Sequence, residues 1–353
     1  MSAASVSQPR DDQPGPAADG ATTTLAEIAR AAGVSAPTVS KVLNGRGDVS
    51  PATRSRVEEL LLRHGYQRRR GSLQAAPLLD LVFNELESSW AMEVIRGVEN
   101  VARQEGLSVV LSESAGRLVP GQTWVDGVLA RRPTGVILVL SGLAPAQRAQ
   151  LTSRDIPFVV LDPAGDPGDD VPAIGATNWQ GGLAATRHLL ELGHRRIGVI
   201  GGPAGVMCSR ARIDGYRAAL ETAGVAFDPA LVRTGDFHHE AGYTEGLALL
   251  RMPDRPTAVF TGNDLQALGL YEAARESGLG VPGDLSVVGF DDLPLARWIS
   301  PPLTTVRQPL TEMAEAAARL VLDLGRGRRP GTLRMDLSTR LVERASSAPP
   351  RGA

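Results

Sequence analysis

Groups that bind hydroxyls recur at the ends of apolar, strand-like runs in this chain. Asp162 closes P-F-V-V-L-D, Asn263 and Asp264 follow T-A-V-F-T-G, and Asp291 and Asp292 follow V-V-G-F. Arg210 and Arg212 come after G-G-P-A-G-V-M-C-S and open a segment that continues I-D-G-Y-R-A-A-L. Phe237 follows T-G-D, Trp90 follows N-E-L-E-S-S, and Trp179 sits in T-N-W-Q-G-G at a helix start. Carboxylates, a guanidinium fork, an amide and aromatic plates suit a sugar. Its hydroxyls need donors and acceptors in fixed geometry, and its apolar ring face packs on an aromatic. Any one Asp at a strand end more often caps a helix or forms a turn; it is the set that points to a ligand.

Those strand ends belong to an alternating pattern. L-L-D-L-V-F (78–83) precedes a helical segment from Ala91 to Gln104, and L-S-V-V-L-S (107–112), G-V-I-L-V-L-S (135–141) and P-F-V-V-L-D (157–162) follow. A second series runs through a helix near 179–192, R-R-I-G-V-I-G-G (195–202), a helix near 210–223, T-A-V-F-T-G (257–262), a helix near 264–277 and D-L-S-V-V-G-F-D-D (284–292). Short apolar strands separated by helices of about 10–15 residues predict parallel sheets covered on both faces. Ligands of such sheets bind beyond the carboxyl ends of the strands. Two series predict two doubly wound subdomains, with the break near Val171-Pro172 (near residue 172). L-T-T-V-R-Q-P (303–309), a helix near 310–324 and a last strand near 332–342 complete the body, set at 78–345, before a disordered tail at 346–353.

A different pattern occupies 22–66. Thr24 caps a first helix, with Glu27 three residues on to close a capping box, and Leu25, Ile28, Ala29 and Ala32 make one apolar face. Gly33 ends it, and Ser35 caps a second helix from Ala36 to about Asn44. A third helix opens at Ser50-Pro51 and stops at Gly65. On the middle helix Val39, Val42 and Leu43 share one side, while Pro37, Ser40, Lys41 and Asn44 share the other. Two short helices joined by a glycine turn, the second with a polar outer face, describe a helix-turn-helix that lays its recognition helix in a major groove.

Composition bounds the function. At 353 residues and 42% hydrophobic, the chain builds two or three domains with sizeable cores. Residues 1–21 read as a disordered leader. Neither a signal peptide nor a long apolar run is legible, and the one cysteine, Cys208, reads as a packing residue in a reducing compartment, so the expected location is cytoplasmic. The net charge of −2 hides an asymmetry: between 22 and 71 nine basic residues face four acidic ones. A basic head on an acidic body suits a protein that meets phosphate with its head alone. Enzyme chemistry reads poorly, because the glycine-rich G-V-I-G-G-P-A-G lacks a Walker lysine, the five histidines lack metal-ligand spacing and no G-x-S-x-G occurs. No metal and no cofactor is expected.

V-S-x-x-T-V-S-x-V-L-N, S-P-A-T-R-x-R-V and the closing G-Y together resemble the DNA-binding domain of the lactose-repressor/galactose-repressor family. The resemblance runs from Thr24 to about Val342. It implies an all-α helix-turn-helix head joined to an α/β body of two doubly wound parallel-sheet subdomains, periplasmic-binding-protein-like, with a tail recrossing both lobes. It places the effector-binding arginine on Arg210 within R-x-R-x-x-G, and further effector contacts on Asn263, Asp291, Phe237 and Trp90. Asp162 and Trp179 fall at variable positions of the family. The implied function is a homodimeric regulator of carbohydrate-utilisation genes on a palindromic double-stranded operator, controlled by a mono- or oligosaccharide effector, with no membrane partner. A purine-like corepressor is the alternative effector.

In the family, bases meet the two side chains after the Ser35 cap and the one at Lys41. Here the two are Ala36 and Pro37, which form no side-chain hydrogen bond, so Lys41 carries the polar readout. Thr24, Ser35, Thr38, Ser40, Asn44 and Arg54 are the other polar head residues expected at DNA. The linker, 67–77, departs from the family's hinge. Tyr66 is followed by Q-R-R-R-G-S-L-Q-A-A-P, in which Gly71 and Pro77 disfavour a helix around Leu73. Arg68, Arg69 and Arg70 are expected to grip phosphates or a narrow minor groove instead of Leu73 wedging between bases. Replacing the three arginines by alanine should weaken DNA binding and flatten its salt dependence, and Leu73→Ala should cost less. A bend assay showing a sharp kink that Leu73→Ala abolishes would refute this reading.

Overall fold

The computed structural model describes residues 24–43, 49–64, 75–86, 89–328 and 331–351. The expected leader (1–21), Asn44, Arg68, Arg69, Arg70 and Leu73 lie outside them. Two units divide the chain, Met1–Gly71 and Ser72–Ala353.

The first unit is three helices: α1 (Leu25–Ala32), α2 (Ala36–Leu43) and α3 (Pro51–Arg63). The capping box at α1 is complete, with the Thr24 amide donating to Glu27 Oε2 at 2.7 Å and the Glu27 amide to Thr24 Oγ1 at 3.4 Å. Gly33 ends α1 at φ 65°, a left-handed turn without a Cβ penalty. The Ser35 and Ser50 hydroxyls accept from the Thr38 and Thr53 amides, satisfying donors that the first turns of α2 and α3 leave open. Ile28, Val39, Val42, Val57 and Leu61 close a small core.

The second unit carries two six-stranded sheets. The first contains β1 (Ala76–Phe83), β2 (Ser108–Glu113), β3 (Pro133–Val139), β4 (Phe158–Leu161) and β5 (Ala173–Ala176). The second contains β6 (Ile197–Gly201), β7 (Val232–Thr234), β8 (Ala258–Thr261), β9 (Ser286–Asp291) and β10 (Thr304–Arg307). Late in the chain β11 (Arg334–Leu337) joins the first sheet and β12 (Arg340–Val342) the second, giving orders β11-β5-β4-β3-β1-β2 and β12-β10-β9-β8-β6-β7. All neighbours are parallel except β10 and β12. The central strands are buried along nearly their whole length, as parallel strands covered on both faces must be. The helices α4 (Ser89–Gln104), α5 (Gln122–Arg131) and α6 (Pro145–Thr152) belong to the first lobe. The second lobe has α7 (Asn178–Glu191), α8 (Met207–Thr222), α9 (His239–Leu250), α10 (Asp264–Glu276) and the short α11 (Leu295–Trp298). α12 (Leu310–Gly325) returns to the first lobe, where Met313, Ala314, Ala317 and Val321 pack with Val94, Val98 and Val101 of α4.

Three boundaries differ from expectation. The break near 172 comes one strand too early: β5 pairs with β4 in the first sheet, so the chain leaves that lobe at Thr177. A-I-G-A is too short and too small in side chain to signal a strand by itself, and its pairing partners are remote. β1 begins at Ala76, inside the expected linker; the register shifts between Ala76 and Leu79, where Pro77 cannot donate a ladder bond. The tail expected to be disordered is pinned. The Val287 amide donates to the Ser346 carbonyl at 2.8 Å, the Ser346 hydroxyl to the Val287 carbonyl at 2.6 Å, and Ser347 and Ala348 bond His188 and Ser286. A run of Ala, Ser and Pro shows no periodicity, so only the partners decide its order.

Of the three crossings between lobes, the first and third are tied together. Thr177 lies on the first, Gln308 on the second and Thr339 on the third. The Thr339 amide donates to Thr177 Oγ1 at 2.9 Å and the Thr177 amide to the Leu337 carbonyl at 3.0 Å. Beside them α7 and α8 cross through two glycines: a Cβ on Gly215 would strike the Trp179 carbonyl, and one on Gly182 the Arg212 carbonyl. Gly215→Ala should therefore destabilise the body by about 1–3 kcal/mol through overpacking, although alanine is the better helix former. Urea denaturation measures it, and an unchanged or raised midpoint would contradict this contact.

Candidate functional site

A cavity of about 270 Å³ lies between the two lobes of the body, at the carboxyl ends of their strands. From the first lobe it receives Glu85 and Trp90 after β1, Leu140 after β3 and Asp162 after β4; from the second, Arg212 of α8, Phe237, His238, Asn263 before α10, and Asp291 at the end of β9. Open parallel sheets splay apart there, which is why side chains from many segments converge.

Arg212 is the centre of this cluster. Only 3% exposed, it donates from Nε to Asn178 Oδ1 at 2.9 Å, from Nη1 to the Gly262 carbonyl at 2.6 Å and from Nη2 to Gln308 Oε1 at 3.1 Å. Its guanidinium carbon stands 3.7 Å from the Phe290 ring centroid and 5.7 Å from that of Phe237. Asp291 Oδ1 is 3.9 Å from Arg212 Nη1 and has no hydrogen-bond partner within the protein. Burial pushes the Asp291 carboxyl up to about 7, against the pull of Arg212 and with the push of Asp162. Burial raises Asp162 likewise. A carboxyl such as that of Asp291, held near neutrality, both donates and accepts, as neighbouring sugar hydroxyls require.

The backbone under these residues is strained. Leu140, Asp162, Phe237 and Asp291 have φ of 47°, 49°, 73° and 109°, a region non-glycine residues avoid at a cost of about 1–3 kcal/mol each. All four line the cavity, and strain of this kind clusters where geometry is dictated by a ligand. Phe237 is held by its surroundings: Asn263 Nδ2 donates to its carbonyl at 2.8 Å, and a Cβ on Gly202 would enter its ring. Asn263 also caps α10, accepting from the Gln266 amide at 2.9 Å. At the opening, His238 Nε2 reaches Glu85 Oε2 of the other lobe at 3.1 Å.

Sequence-expected residues divide. Trp90, Asp162, Phe237, Asn263 and Asp291 come together in the cavity. Arg210 does not: it is exposed on α8, and Arg212 occupies the place assigned to it. At 100° per residue, Cys208, Arg212, Gly215 and Ala219 share the buried face of α8, whereas Arg210 points some 160° away from Arg212; this period was the available signal. Trp179 lines an adjoining hollow with Asn178 and Asp336, which shares Asp162 and Cys208 with the cavity. Asp264 is a brace, accepting from Thr305 Oγ1 at 2.6 Å and the Leu293 amide at 2.8 Å. Glu85 and His238, in loops without periodicity, carried no sequence signal. Another hollow of similar size, near Leu118 and Phe158, offers one arginine, Arg148, already paired with Asp170. Among the described residues no His, Cys, Asp and Glu group could hold a metal, and no helix is long and apolar enough to cross a membrane.

On α2 of the first unit, Ala36, Pro37 and Lys41 are exposed and Thr38 and Ser40 half-buried, opposite the buried Val39, Val42 and Leu43. Arg54 is half-buried on α3. A helix-turn-helix unit followed in the chain by a two-lobed body with a ligand-sized cavity defines a class: ligand-responsive DNA-binding regulators. The comparisons agree. Residues 24–69 match the bacterial regulatory proteins of the lacI family, and 186–347 match the periplasmic binding protein-like domain. The transcriptional repressors CytR of Escherichia coli (over 328 residues, 92% of this chain and 96% of that protein) and PurR of Escherichia coli O139:H28 (over 330 residues, 92% and 97%) are each 33% identical. The structure of a transcriptional regulator CelR–cellobiose complex is 34% identical at a TM-score of 0.71, covering 92% of this chain and 99% of that one. That of the lac repressor dimer bound to operator and the anti-inducer ONPF is 29% identical at 0.68, with the same coverage. The chain belongs to the lacI family of bacterial regulatory proteins; it is a DNA-binding transcriptional regulator and not an enzyme.

Arg212→Ala should leave Asp291 and Asp162 buried without their cation and lower stability by about 3–5 kcal/mol. Arg210→Ala should stay within about 0.5 kcal/mol of the parent. Chemical denaturation of both variants checks this; equal losses would remove Arg212 from its central place.

Proposed function

We propose that the protein acts in the cytoplasm as a homodimeric repressor on a palindromic operator, and that a mono- or oligosaccharide bound in the cleft changes its operator affinity. The observation that carries the sugar reading is the cleft itself. Two aromatic faces, Trp90 and Phe237, stand with carboxyls, a guanidinium and an amide in a cavity of about 270 Å³, room for one or two pyranose rings. The relative solved with cellobiose supports it. One helix-turn-helix reads only a few base pairs, so two-fold pairing of heads on a palindrome follows. Residues 67–74 serve as the linker, and effector control acts through the differential affinity of the ligand for two arrangements of the lobes.

Base recognition falls on Lys41, because Ala36 and Pro37 beside it have no hydrogen-bonding side chain. Lys41→Ala should lose about 1–3 kcal/mol of operator preference, whereas Arg54→Ala should weaken operator and random DNA alike. Binding to the protein's own promoter, measured with and without a panel of sugars and purines, tests the whole reading. Operator affinity that responds to a purine and to no sugar would transfer the site to the purine-like alternative.

A further inference from the structure

A single imidazole ring joins the two lobes at the opening of the cleft. His238 belongs to the second lobe, in the turn between β7 and α9, and Glu85 to the first, after β1. His238 Nε2 stands 3.1 Å from Glu85 Oε2, and on the other side of the ring Nδ1 stands 3.3 Å from Asp236 Oδ1 of its own turn. That turn is fixed locally: the His238 amide donates to the same Asp236 oxygen at 2.9 Å, and Asn263 Nδ2 holds the Phe237 carbonyl at 2.8 Å. The second lobe therefore carries Asp236 and the ring together, whereas Glu85 meets the ring only where the first lobe lies against it.

A neutral imidazole has one N–H. Placed on Nε2 it serves Glu85 and leaves the Nδ1 lone pair facing Asp236; placed on Nδ1 it leaves the Nε2 lone pair facing Glu85. Only the imidazolium turns a hydrogen toward both carboxylates. Nδ1 is buried and makes no hydrogen bond within the protein, so Asp236 acts on the ring through charge. The other ionisable groups around the opening replace neither partner. His239, next in the chain, turns to Glu272 of α10 at 3.3 Å, and Glu240, Asp162, Arg212 and Asp291 line the same cavity. Burial disfavours the charged ring, but Asp236 and Glu85 outweigh it and hold His238 above the ordinary histidine value. Asp236 does so whether the lobes are together or apart. Glu85 alone makes the proton depend on their closeness.

We propose that Glu85 and His238 form a proton-dependent clasp across the opening of the cleft, which holds the two lobes together when the imidazole is charged and releases them when it is neutral. The sign follows from linkage. Contact between the lobes is favoured in full below the value the ring has with the lobes apart, and that gain is lost as pH rises through the higher value it has beside Glu85. The side chains of the pair are 39% and 40% exposed, so water screens them. The charged ring then favours the closed arrangement by about 2- to 5-fold, a bias on an equilibrium that other contacts set. The clasp is independent of which effector enters the cleft; its consequence for DNA rests on the effector reading above.

The Met207 amide measures the clasp without any ligand. It opens α8, and its bond to the Ala164 carbonyl at 2.7 Å crosses from the second lobe to the first, so it exchanges its hydrogen when the lobes part. Exchange of this amide in the full chain, corrected for intrinsic base catalysis, is compared between about pH 6 and about pH 8.5 in the parent, Glu85→Gln, His238→Gln and the double variant. The expected result is that raising the pH speeds exchange in the parent by about 2- to 5-fold. Each single variant should exchange at the faster rate at both pH values, and the double variant no faster than either. Glu272→Gln, which strips His239 of its carboxylate, should keep the response of the parent. A proton NMR titration of the His238 ring, assigned by its loss in His238→Gln, should give a midpoint above about 6.5 that falls in Glu85→Gln. Exchange that ignores pH in the parent, or responds equally in Glu85→Gln, overturns the clasp. So does a response that Glu272→Gln removes, which would assign it to His239, or a ring midpoint that Glu85→Gln leaves unmoved.

Discussion

The body depends on where one guanidinium goes. Arg212 reaches from α8 to Asn178 at the start of α7, to Gln308 on the second crossing and to the carbonyl that follows β8, while resting on Phe290 of β9. It thereby fixes the floor of the cleft and two of the three segments about which the lobes are joined. A buried arginine is tolerable only when its donors are met and its charge is answered. Here three donors are met by the protein and the charge is answered by Asp162 and Asp291.

That arrangement gives the cleft a physical link to the hinge. Asp291 at the cavity lies 3.9 Å from Arg212, and Arg212 shares its bonds with the crossing segments. Thr177 and Thr339 tie the first and third crossings to each other. The lobes are also bridged away from the crossings: the Met207 amide donates to the Ala164 carbonyl at 2.7 Å, and His238 meets Glu85. Strain at Leu140, Asp162, Phe237 and Asp291 is the cost of aiming those residues inward, and the cores beneath both sheets sustain it.

Charge is partitioned along the chain in the same functional sense. The basic excess between residues 22 and 71 faces a polyanion, while the cleft concentrates carboxylates around a single arginine. A small net charge therefore conceals two opposite local balances of charge.

Local regularities were legible in the sequence. The three head helices declared themselves by Thr24, Ser35 and Ser50 as caps, by Gly33 and by apolar spacing, because capping and periodicity are properties of a few consecutive residues. Strand ends announced Asp162, Asn263 and Asp291, since an apolar run followed by a polar residue marks the mouth of a parallel sheet, whereas Phe237 was placed after T-G-D by the resemblance. The choice between Arg210 and Arg212 was half legible, in the helical period of α8, yet a motif read as a string hid it. What tertiary structure alone decided was everything set by residues far apart in the chain. β5 belongs to the first lobe because β4 and β11 flank it; Ser346 is ordered because Val287 and Thr304 bond it; Trp179 leaves the cleft because α7 turns it to another hollow. Such contacts arise from packing between segments, and no window of neighbouring residues contains them.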